Sequence, residues 1–269
     1  MSALPLAAQA AELPPYHPFG EEIELFEAAY RHGLPMLLKG PTGCGKTRFV
    51  EHMAARLRRP LVTVSCHDDL SATDLVGRHL IGQEGTYWVD GPLAHAVRTG
   101  AICYLDEVVE ARKDTTVILH ALSDDRRVLP IERTGELLEA PPQFMLVVSY
   151  NPGYQQLLKG LKPSTRQRFV SLSFDFPEAQ REASIVQGEC AVDAATARRL
   201  VSLARALRAS AEHDLEEAPG TRLLVNAAKL IAAGIAPRSA CRVALLECLS
   251  DDPQVVSALG DVVDAVFET

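Results

Sequence analysis

The chain has 269 residues, of which 47% are hydrophobic and 23% are charged. This length is sufficient for one large or two modest domains with a hydrophobic core, so folding requires no disulfide or metal staple. The 35 acidic residues outnumber the 27 basic residues and give a net charge of -8, which argues against nucleic acid as the main partner.

The amino-terminal segment, residues 1–20, is apolar, contains no Lys or Arg and runs into prolines. It is therefore predicted to be a loose tail and not a signal peptide. No apolar stretch approaches the length of a membrane span. The six cysteines form no CxxC pair and lie within apolar or motif segments, which is typical of reduced thiols. We expect a soluble cytoplasmic protein.

The residues after this tail predict alternating helices and strands. A helix is predicted over residues 21–32, and segments long enough for helices separate the β-rich runs that follow it. Those runs lie at 36–39, 61–66, 101–105, 144–149 and 170–174. Such alternation predicts a mostly parallel sheet covered on both faces.

The composition changes near residue 177, after which Ala, Leu, Arg and Glu dominate and no strand is predicted. Helices are expected over 178–187, 193–211, 222–233, 238–249 and 253–267. The sequence thus predicts an α/β domain over residues 21–176 and a small all-α domain over residues 177–269.

The strongest chemical signal is GPTGCGKT, which lies between an apolar strand and a helix as a phosphate-binding loop does. Its glycines let backbone N–H groups point at phosphate oxygens, supported by the positive end of the helix. Lys46 would reach the β and γ phosphates, and the Thr47 hydroxyl would bind Mg²⁺. A Gly-rich structural turn is the alternative. The predicted nucleotide-binding residues are Gly40, Pro41, Thr42, Gly43, Cys44, Gly45, Lys46 and Thr47.

The run AICYLDE places Asp106 and Glu107 at the end of an apolar strand, where α/β sheets bind ligands. Asp106 is the expected outer partner of Mg²⁺, and Glu107 would orient and deprotonate an attacking water. A solvated acidic pair is the alternative when this motif is taken alone. Since a hydrolase needs a positioned water and a kinase does not, the adjacent glutamate favours hydrolysis.

A third strand, FMLVVSYN, ends at Asn151. This residue would lie next to the strand end that carries Asp106 and would hold the water or the γ phosphate through its amide. The alternative is a turn-forming Asn before Pro152 and Gly153.

Three arginines are candidates for contact with the γ phosphate. Arg166 and Arg168 precede the last predicted strand, and arginines at the edge of an ATPase domain can neutralise transition-state charge in a neighbour's site. Ordinary surface arginines are the alternative. Arg222 begins a helix of the second domain, where the helix dipole disfavours a cation, and this favours a functional role.

Two segments, at 81–90 and 125–136, have the pattern of antiparallel hairpins. The first carries Tyr87 and the single tryptophan, Trp88. These aromatic residues either contact a substrate or partner or, for Trp88, pack on their own domain.

Together, GPTGCGKT, AICYLDE, FMLVVSYN, STRQRF and GTR, in this order, resemble the AAA+ ATPases of the MoxR class over nearly the whole chain. Within that class, LPMLLKGPTGCGKTRFVEHMA, LVTVSCHDDLSATDLVGR, DGPLAHAVRTGAICYLDEVVEAR and VVSYNPGYQ resemble signature stretches of the CbbQ/NorQ group. The resemblance implies an AAA+ P-loop core with a parallel sheet and an α-helical lid. It also implies a ring, usually a homo-hexamer, with ATP and Mg²⁺ at the subunit interfaces.

The resemblance assigns roles by position. Lys46 and Thr47 match the nucleotide and Mg²⁺ residues, Asp106 and Glu107 match the second acidic motif, and Asn151 matches the residue known as sensor 1.

The arginines follow the same comparison. Arg222 matches the sensor 2 arginine, and Arg168 lies where the class usually places its trans arginine. Arg166 is equally available, so the choice between them stays open. The two hairpins match the helix-2 insert and the pre-sensor-1 hairpin of the class.

Members of this group work with an adaptor that carries a von Willebrand factor A (VWA) domain and remodel a metabolic enzyme. CbbQ proteins, with the adaptor CbbO, release inhibitory sugar phosphates from Rubisco. NorQ proteins, with NorD, are associated with maturation of nitric oxide reductase. The residues of these motifs favour a CbbQ-like Rubisco activase, and the nitric oxide reductase branch is the alternative. Because no extra substrate domain is apparent, the adaptor is expected to choose the target.

Two other classes are weaker alternatives. A P-loop kinase of a small metabolite would form no ring, and the acidic pair together with a separate helical domain weighs against it. A DNA-loading AAA+ protein is disfavoured by the net charge and by the missing basic stripe.

Overall fold

The computed structural model describes residues 13–83, 85–152, 161–214 and 217–267. The chain divides into two units by its internal contacts. Unit 1 comprises Met1–Lys39 and Lys46–Ser173, and unit 2 comprises Gly40–Gly45 and Phe174–Thr269. The phosphate-loop glycines are therefore grouped with the carboxy-terminal helices, whereas the helix that follows them belongs to unit 1.

Unit 1 alternates helices and strands along the chain. Its elements are α1 (Glu22–Arg31), β1 (Met36–Lys39), α2 (Lys46–Arg56), β2 (Leu61–Ser65), α3 (Ala72–Val76), β3 (Gly77–Gly82), β4 (Gly85–Asp90), α4 (Pro92–Thr99), β5 (Ile102–Asp106), a 3₁₀ turn (Val108–Glu110), α5 (Lys113–Leu122), β6 (Val128–Ile131), β7 (Glu136–Glu139), β8 (Met145–Tyr150), α6 (Pro163–Arg166) and β9 (Val170–Ser173).

Five of these strands form a parallel sheet in the order β2-β5-β8-β1-β9. Every residue of the central strand β8 is buried, whereas the edge strands β2 and β9 contain exposed residues. Continuous apolar runs are what a parallel strand covered on both faces requires. The predicted parallel α/β fold is confirmed.

The two predicted hairpins are present, and their bounds are shifted. β3 pairs with β4, beginning at Gly77, and β6 pairs with β7, ending at Glu139. The strand GRHLIG starts from a glycine at φ 140°, and ELLE is short, so neither carries a strong β pattern.

Residues 1–12 of the predicted tail lie outside the described residues. The following residues are irregular, yet Tyr16 packs on Phe49 with ring centroids 5.2 Å apart. The Tyr16 hydroxyl also donates to Glu22 Oε1 at 2.9 Å, and a 2.8 Å hydrogen bond joins His52 Nδ1 and the Pro14 carbonyl oxygen. An aromatic ring thus anchors a segment that its composition predicts to be loose.

The rest of unit 2 is helical where the structure describes it, with α7 (Ala179–Glu189), α8 (Ala194–Asp214), α9 (Thr221–Ala232), α10 (Pro237–Cys241), a π-helical turn (Arg242–Leu246), α11 (Glu247–Leu249) and α12 (Pro253–Phe267). Their apolar faces form a second core that includes Val186, Leu200 and Leu224. The π-helical turn interrupts the single helix predicted over 238–249, where no Gly or Pro marks an interruption. In the described part of the chain, no helix has the length and hydropathy to cross a membrane.

Candidate functional site

The loop of residues 40–45 joins β1 to α2 and contains backbone conformations that favour glycine. Gly43 has φ 74° and Gly45 has φ 103°, and a Cβ added at Gly45 would meet nothing within 4 Å. The helix that follows has no acidic residue in its first turn and begins with Lys46, which is buried. Successive N–H groups in such a turn at a helix start form an anion-binding concavity. Pro41, Thr42 and Cys44 complete the loop.

Asp106 ends β5, and its carboxylate lies beside the first turn of α2. The Thr47 hydroxyl donates to Asp106 Oδ2 at 3.3 Å. A hydroxyl whose O–H donates to a carboxylate keeps its lone pairs for a cation, so the contact fits Thr47 as a ligand of Mg²⁺ and Asp106 as the outer partner. Among the described residues, no group of three His, Cys, Asp or Glu side chains could form an all-protein metal site. Mg²⁺ that is bound together with substrate phosphates needs few protein groups, and one carboxylate and one hydroxyl are sufficient.

Two residues that the sequence analysis missed surround this carboxylate. Tyr104 donates to Asp106 Oδ1 at 2.8 Å, and the buried Ser149 donates to the same oxygen at 2.5 Å. Burial and the nearby Asp106 charge raise the pKa of Tyr104, so the phenol stays protonated and can donate. A signal existed for both: Tyr104 precedes Asp106 by two residues and thus shares its strand face, and Ser149 interrupts an apolar run.

Glu107 follows Asp106 with a left-handed backbone, at φ 56° and ψ 45°. A non-Gly residue in this region carries strain of about 1–2 kcal/mol that its surroundings must support. Its N–H donates to Ser149 Oγ at 3.2 Å, so one hydroxyl group holds both acidic residues. The side chain is partly buried.

Cys66 lies beside the acidic pair, since its N–H donates to the Asp106 carbonyl oxygen at 2.9 Å. Burial, followed by the charges of Asp106 and Glu107, raises the pKa of the Cys66 thiol to about 12. The thiol is therefore protonated at neutral pH, which excludes it as a nucleophile. None of the six cysteines is paired in a disulfide.

Asn151 follows β8 directly and is buried. β8 lies between β1 and β5, with Leu105 opposite Val148 and Lys39 opposite Tyr150. The parallel register brings Asn151 to the sheet edge where β5 ends in Asp106.

Arg166 and Arg168 lie at the end of α6 and just beyond it. Arg168 Nη1 donates to the Ser164 carbonyl oxygen at 2.6 Å, whereas Arg166 is exposed and forms no side-chain hydrogen bond or ion pair with the described residues. A 2.8 Å hydrogen bond between His120 Nε2 and Thr165 Oγ1 ties α6 to α5. Burial, and then the charges of Arg168 and Lys162, lowers the pKa of His120.

Arg222 is the exposed second residue of α9. The start of this helix packs against the phosphate loop, residues 40–45, which belongs to the same unit. A Cβ added to Gly43 would lie 3.0 Å from Gly220 Cα, and one added to Gly220 would lie 2.8 Å from the Thr42 carbonyl oxygen. This backbone approach is a second feature that the sequence analysis missed.

The two aromatic residues of the first hairpin differ in environment. Tyr87 is 52% exposed, whereas Trp88 packs against the core of unit 1 and edge-on to His79, with ring centroids 5.1 Å apart. The indole N–H of Trp88 donates to Asp90 Oδ1 at 2.8 Å. Tyr87 is therefore the displayed residue, and Trp88 packs on its own unit.

Comparison with known proteins finds two family matches. Residues 35–169 match the family described as AAA domain (dynein-related subfamily), and residues 182–266 match the family described as CbbQ/NirQ/NorQ C-terminal. The solved Thermotoga maritima RuvB Holliday junction branch migration motor has a similar fold. It aligns with a TM-score of 0.53 at 17% identity, over 90% of this chain and 67% of that one.

Three curated relatives align over most of both sequences. The denitrification regulatory protein NirQ of Pseudomonas aeruginosa is 68% identical over 93% of this chain and 96% of its own. Protein NorQ of Paracoccus denitrificans is 60% identical over 96% of each chain. Protein CbbQ of Hydrogenophilus thermoluteolus is 56% identical over 94% of this chain and 95% of its own.

Proposed function

Because this chain belongs to the CbbQ/NirQ/NorQ family of AAA+ ATPases, we propose that it is a ring-forming chaperone in which ATP hydrolysis to ADP and phosphate remodels a target enzyme. The contact that carries the ATPase part is the 3.3 Å hydrogen bond between Thr47 and Asp106. It joins the end of the phosphate loop to the acidic strand end, and Glu107 lies directly beside it.

The residues at the start of α2 and at the ends of β5 and β8 have separate roles in the proposed hydrolysis. Thr47 and Asp106 would hold Mg²⁺, which when bound offsets negative charge on phosphate oxygens. Lys46 places its ammonium group at the phosphates. Glu107 accepts a proton from the attacking water, and the Asn151 amide orients that water.

The arginines act on the charge that develops at the γ phosphate. Arg222 supplies a cation from the start of α9, and Arg166 and Arg168 supply cations to the site of a neighbouring subunit. In this proposal a homo-hexamer is the functional assembly. Both residues lie at the end of α6 or just beyond it, and among the described residues the Arg166 guanidinium forms no hydrogen bond or ion pair, whereas that of Arg168 donates to the Ser164 carbonyl oxygen.

The target is proposed to be an enzyme of denitrification, nitric oxide reductase, reached through a VWA-domain adaptor. Identity is higher with NirQ of P. aeruginosa, at 68%, than with CbbQ of H. thermoluteolus, at 56%, and this supports the denitrification branch. Rubisco, with a CbbO-like adaptor, is the second candidate, because the CbbQ relative also aligns over 94% of this chain. The displayed Tyr87 is a candidate contact for either partner.

One experiment tests both parts of the proposal. Purified protein with Mg²⁺ and ATP is combined with a VWA adaptor of each branch, and with inactive nitric oxide reductase or inhibited Rubisco. We expect ATP turnover and activation of nitric oxide reductase. Glu107→Gln should retain ATP binding and assembly but lose turnover by about 10²- to 10⁴-fold, because only the proton acceptor is removed.

Lys46→Ala is the matched control, since it should lose nucleotide binding itself. Unchanged turnover in Glu107→Gln would contradict the assignment of the water-activating residue. Activation of Rubisco instead would move the protein to the other branch. Phosphate transfer to a small metabolite without ring formation would replace the chaperone by a kinase.

A further inference from the structure

A buried ion pair in unit 2 forms hydrogen bonds with residues at the start of α9. Arg208 of α8 donates to both oxygens of Glu182 in α7, from Nη1 to Oε2 at 2.8 Å and from Nη2 to Oε1 at 2.6 Å. The Glu182 side chain is fully buried, and that of Arg208 is 12% exposed. Because desolvation offsets most of the Coulomb attraction in such a pair, stability alone does not account for it.

The pair holds the backbone segment that meets the phosphate loop. Arg208 Nε donates to the Pro219 carbonyl oxygen at 2.9 Å, and the Thr221 hydroxyl donates to Glu182 Oε1 at 2.7 Å. Gly220 lies between these two anchored residues, and it is the residue whose backbone approaches Gly43. The anchors therefore determine where α9 begins relative to the loop.

The same arginine contacts the segment on the other side of the loop. Its guanidinium carbon lies 3.8 Å from the ring centroid of Phe176, a cation–π arrangement. Two residues earlier, the Phe174 carbonyl oxygen would lie 2.5 Å from a Cβ added at Gly40. Arg208 thus links the two backbone segments, residues 174–176 and 219–221, that pack on the beginning and the middle of the loop.

We propose that Glu182 and Arg208 are positioning residues for nucleotide recognition, which hold α9 so that Arg222 reaches the γ phosphate. This inference rests on the proposed ATPase function. Arg222 follows the anchored Thr221 directly, so a shift of the helix start displaces its guanidinium. A γ phosphate is present in ATP and absent in ADP, so the displacement weakens ATP binding more than ADP binding.

The test uses Thr221→Val in the full chain, because valine keeps the shape of threonine and removes only the hydroxyl that donates to Glu182. Calorimetric titration with ATP and with ADP, each with Mg²⁺, gives the affinity ratio, and melting without nucleotide gives the stability. We expect the preference for ATP over ADP to fall by about 5- to 10-fold, which is less than the full effect of one hydrogen bond to a charged group, because Arg208 still holds the Pro219 carbonyl oxygen. Thr221→Ser should restore the ratio to within about 2-fold.

Thr196→Val is the matched control. Its hydroxyl donates to Asp193 at 2.8 Å next to the start of α8, so the same chemical change occurs in unit 2 away from the network. This variant should keep the wild-type ratio.

A fall in melting temperature with an unchanged ratio, or equal losses for ATP and ADP, would overturn the inference. If Thr221→Val does not fold, Arg208→Lys must produce the same loss of ATP preference, since lysine keeps the charge but not the two parallel bonds. Failure of the ATPase proposal would look different, because the wild-type protein would then not bind ATP and Lys46→Ala would change nothing.

Discussion

At the residue scale, Ser149 is the residue that contacts both acidic residues at the end of β5, Asp106 and Glu107. Its hydroxyl group donates to Asp106 Oδ1, accepts the Glu107 N–H and lies 3.1 Å from the Tyr104 hydroxyl. The side chain is fully buried. A single hydroxyl therefore orients the proposed Mg²⁺ residue and supports the left-handed backbone of the proposed base.

Replacing Ser149 by Ala should lower kcat by about 10- to 100-fold, because a base displaced by a fraction of an ångström loses its alignment with water. The KM for ATP should change much less, since the phosphate loop is untouched and the Tyr104 hydroxyl still donates to Asp106 Oδ1. Steady-state ATPase kinetics measure both. The control is Ser171→Ala on β9, where the side chain is exposed. A rise in KM at constant kcat in Ser149→Ala would contradict a positioning role.

At the scale of elements, Arg98 connects the two hairpins. This α4 residue donates to Asp90 at the end of β4 at 2.8 Å and to Glu136 at the start of β7 at 2.9 and 3.0 Å. Partial burial of Asp90 opposes its ionisation, but hydrogen bonds from Arg98 and Trp88 outweigh it and lower the pKa. The Arg98 hydrogen bonds also lower the pKa of Glu136.

Arg98→Ala should lower the melting temperature by about 1–4 °C at neutral pH and low salt, as expected for a solvent-accessible ion-pair network. Carboxylates with lowered pKa contribute stability above their unfolded pKa and lose it as the pH falls through the folded value. The difference between variant and wild type should therefore shrink on acidification below about pH 4 and in high salt.

Arg126→Ala is the comparison for this variant. Among the residues that the structure describes, Arg126 pairs with Asp124, at 2.7 Å and two residues away, so its removal separates no elements. It should have the smaller effect at pH 7. An Arg98 difference that grows as the pH falls would show that the carboxylates do not mediate the link.

At the scale of the whole molecule, the proposed ring makes the arginines of α6 and its following turn part of another subunit's site. Arg166 and Arg168 lie outside the hydrogen-bond network around Asp106 in the described residues. A trans role is therefore testable by mixing subunits.

Arg166→Ala and Arg168→Ala should each reduce turnover, because the transition-state charge is then less neutralised. Mixing either variant with an equal amount of Lys46→Ala should recover up to about a quarter of wild-type turnover, since random assembly gives that share of complete interfaces. ATPase assays of the mixed rings measure this. Wild-type turnover in both single variants would remove these arginines from the mechanism, and no recovery on mixing would place them in their own subunit's site.

The sequence predicts the parallel fold and the helical second half well, because strand and helix periods are local properties of the chain. It predicts the hairpins with shifted bounds, since the strands β3 and β7 lack a strong β pattern. The π-helical turn at Arg242–Leu246 has no local marker. The anchored Tyr16 was not predicted either, because composition describes a segment without the surface on which it packs.

For the candidate site, the sequence alone determined which chemical groups stand at the strand ends and in the phosphate loop, since motif order and spacing are written in the chain. Only the tertiary structure decided how these groups are held. Strand order places β8 beside β5, which brings Ser149 to Asp106 across 43 residues. Helix packing in unit 2 brings the backbone of Gly220 close to that of Gly43 and buries the Arg208 side chain against Glu182. Such contacts join residues far apart in the chain, so no local period encodes them.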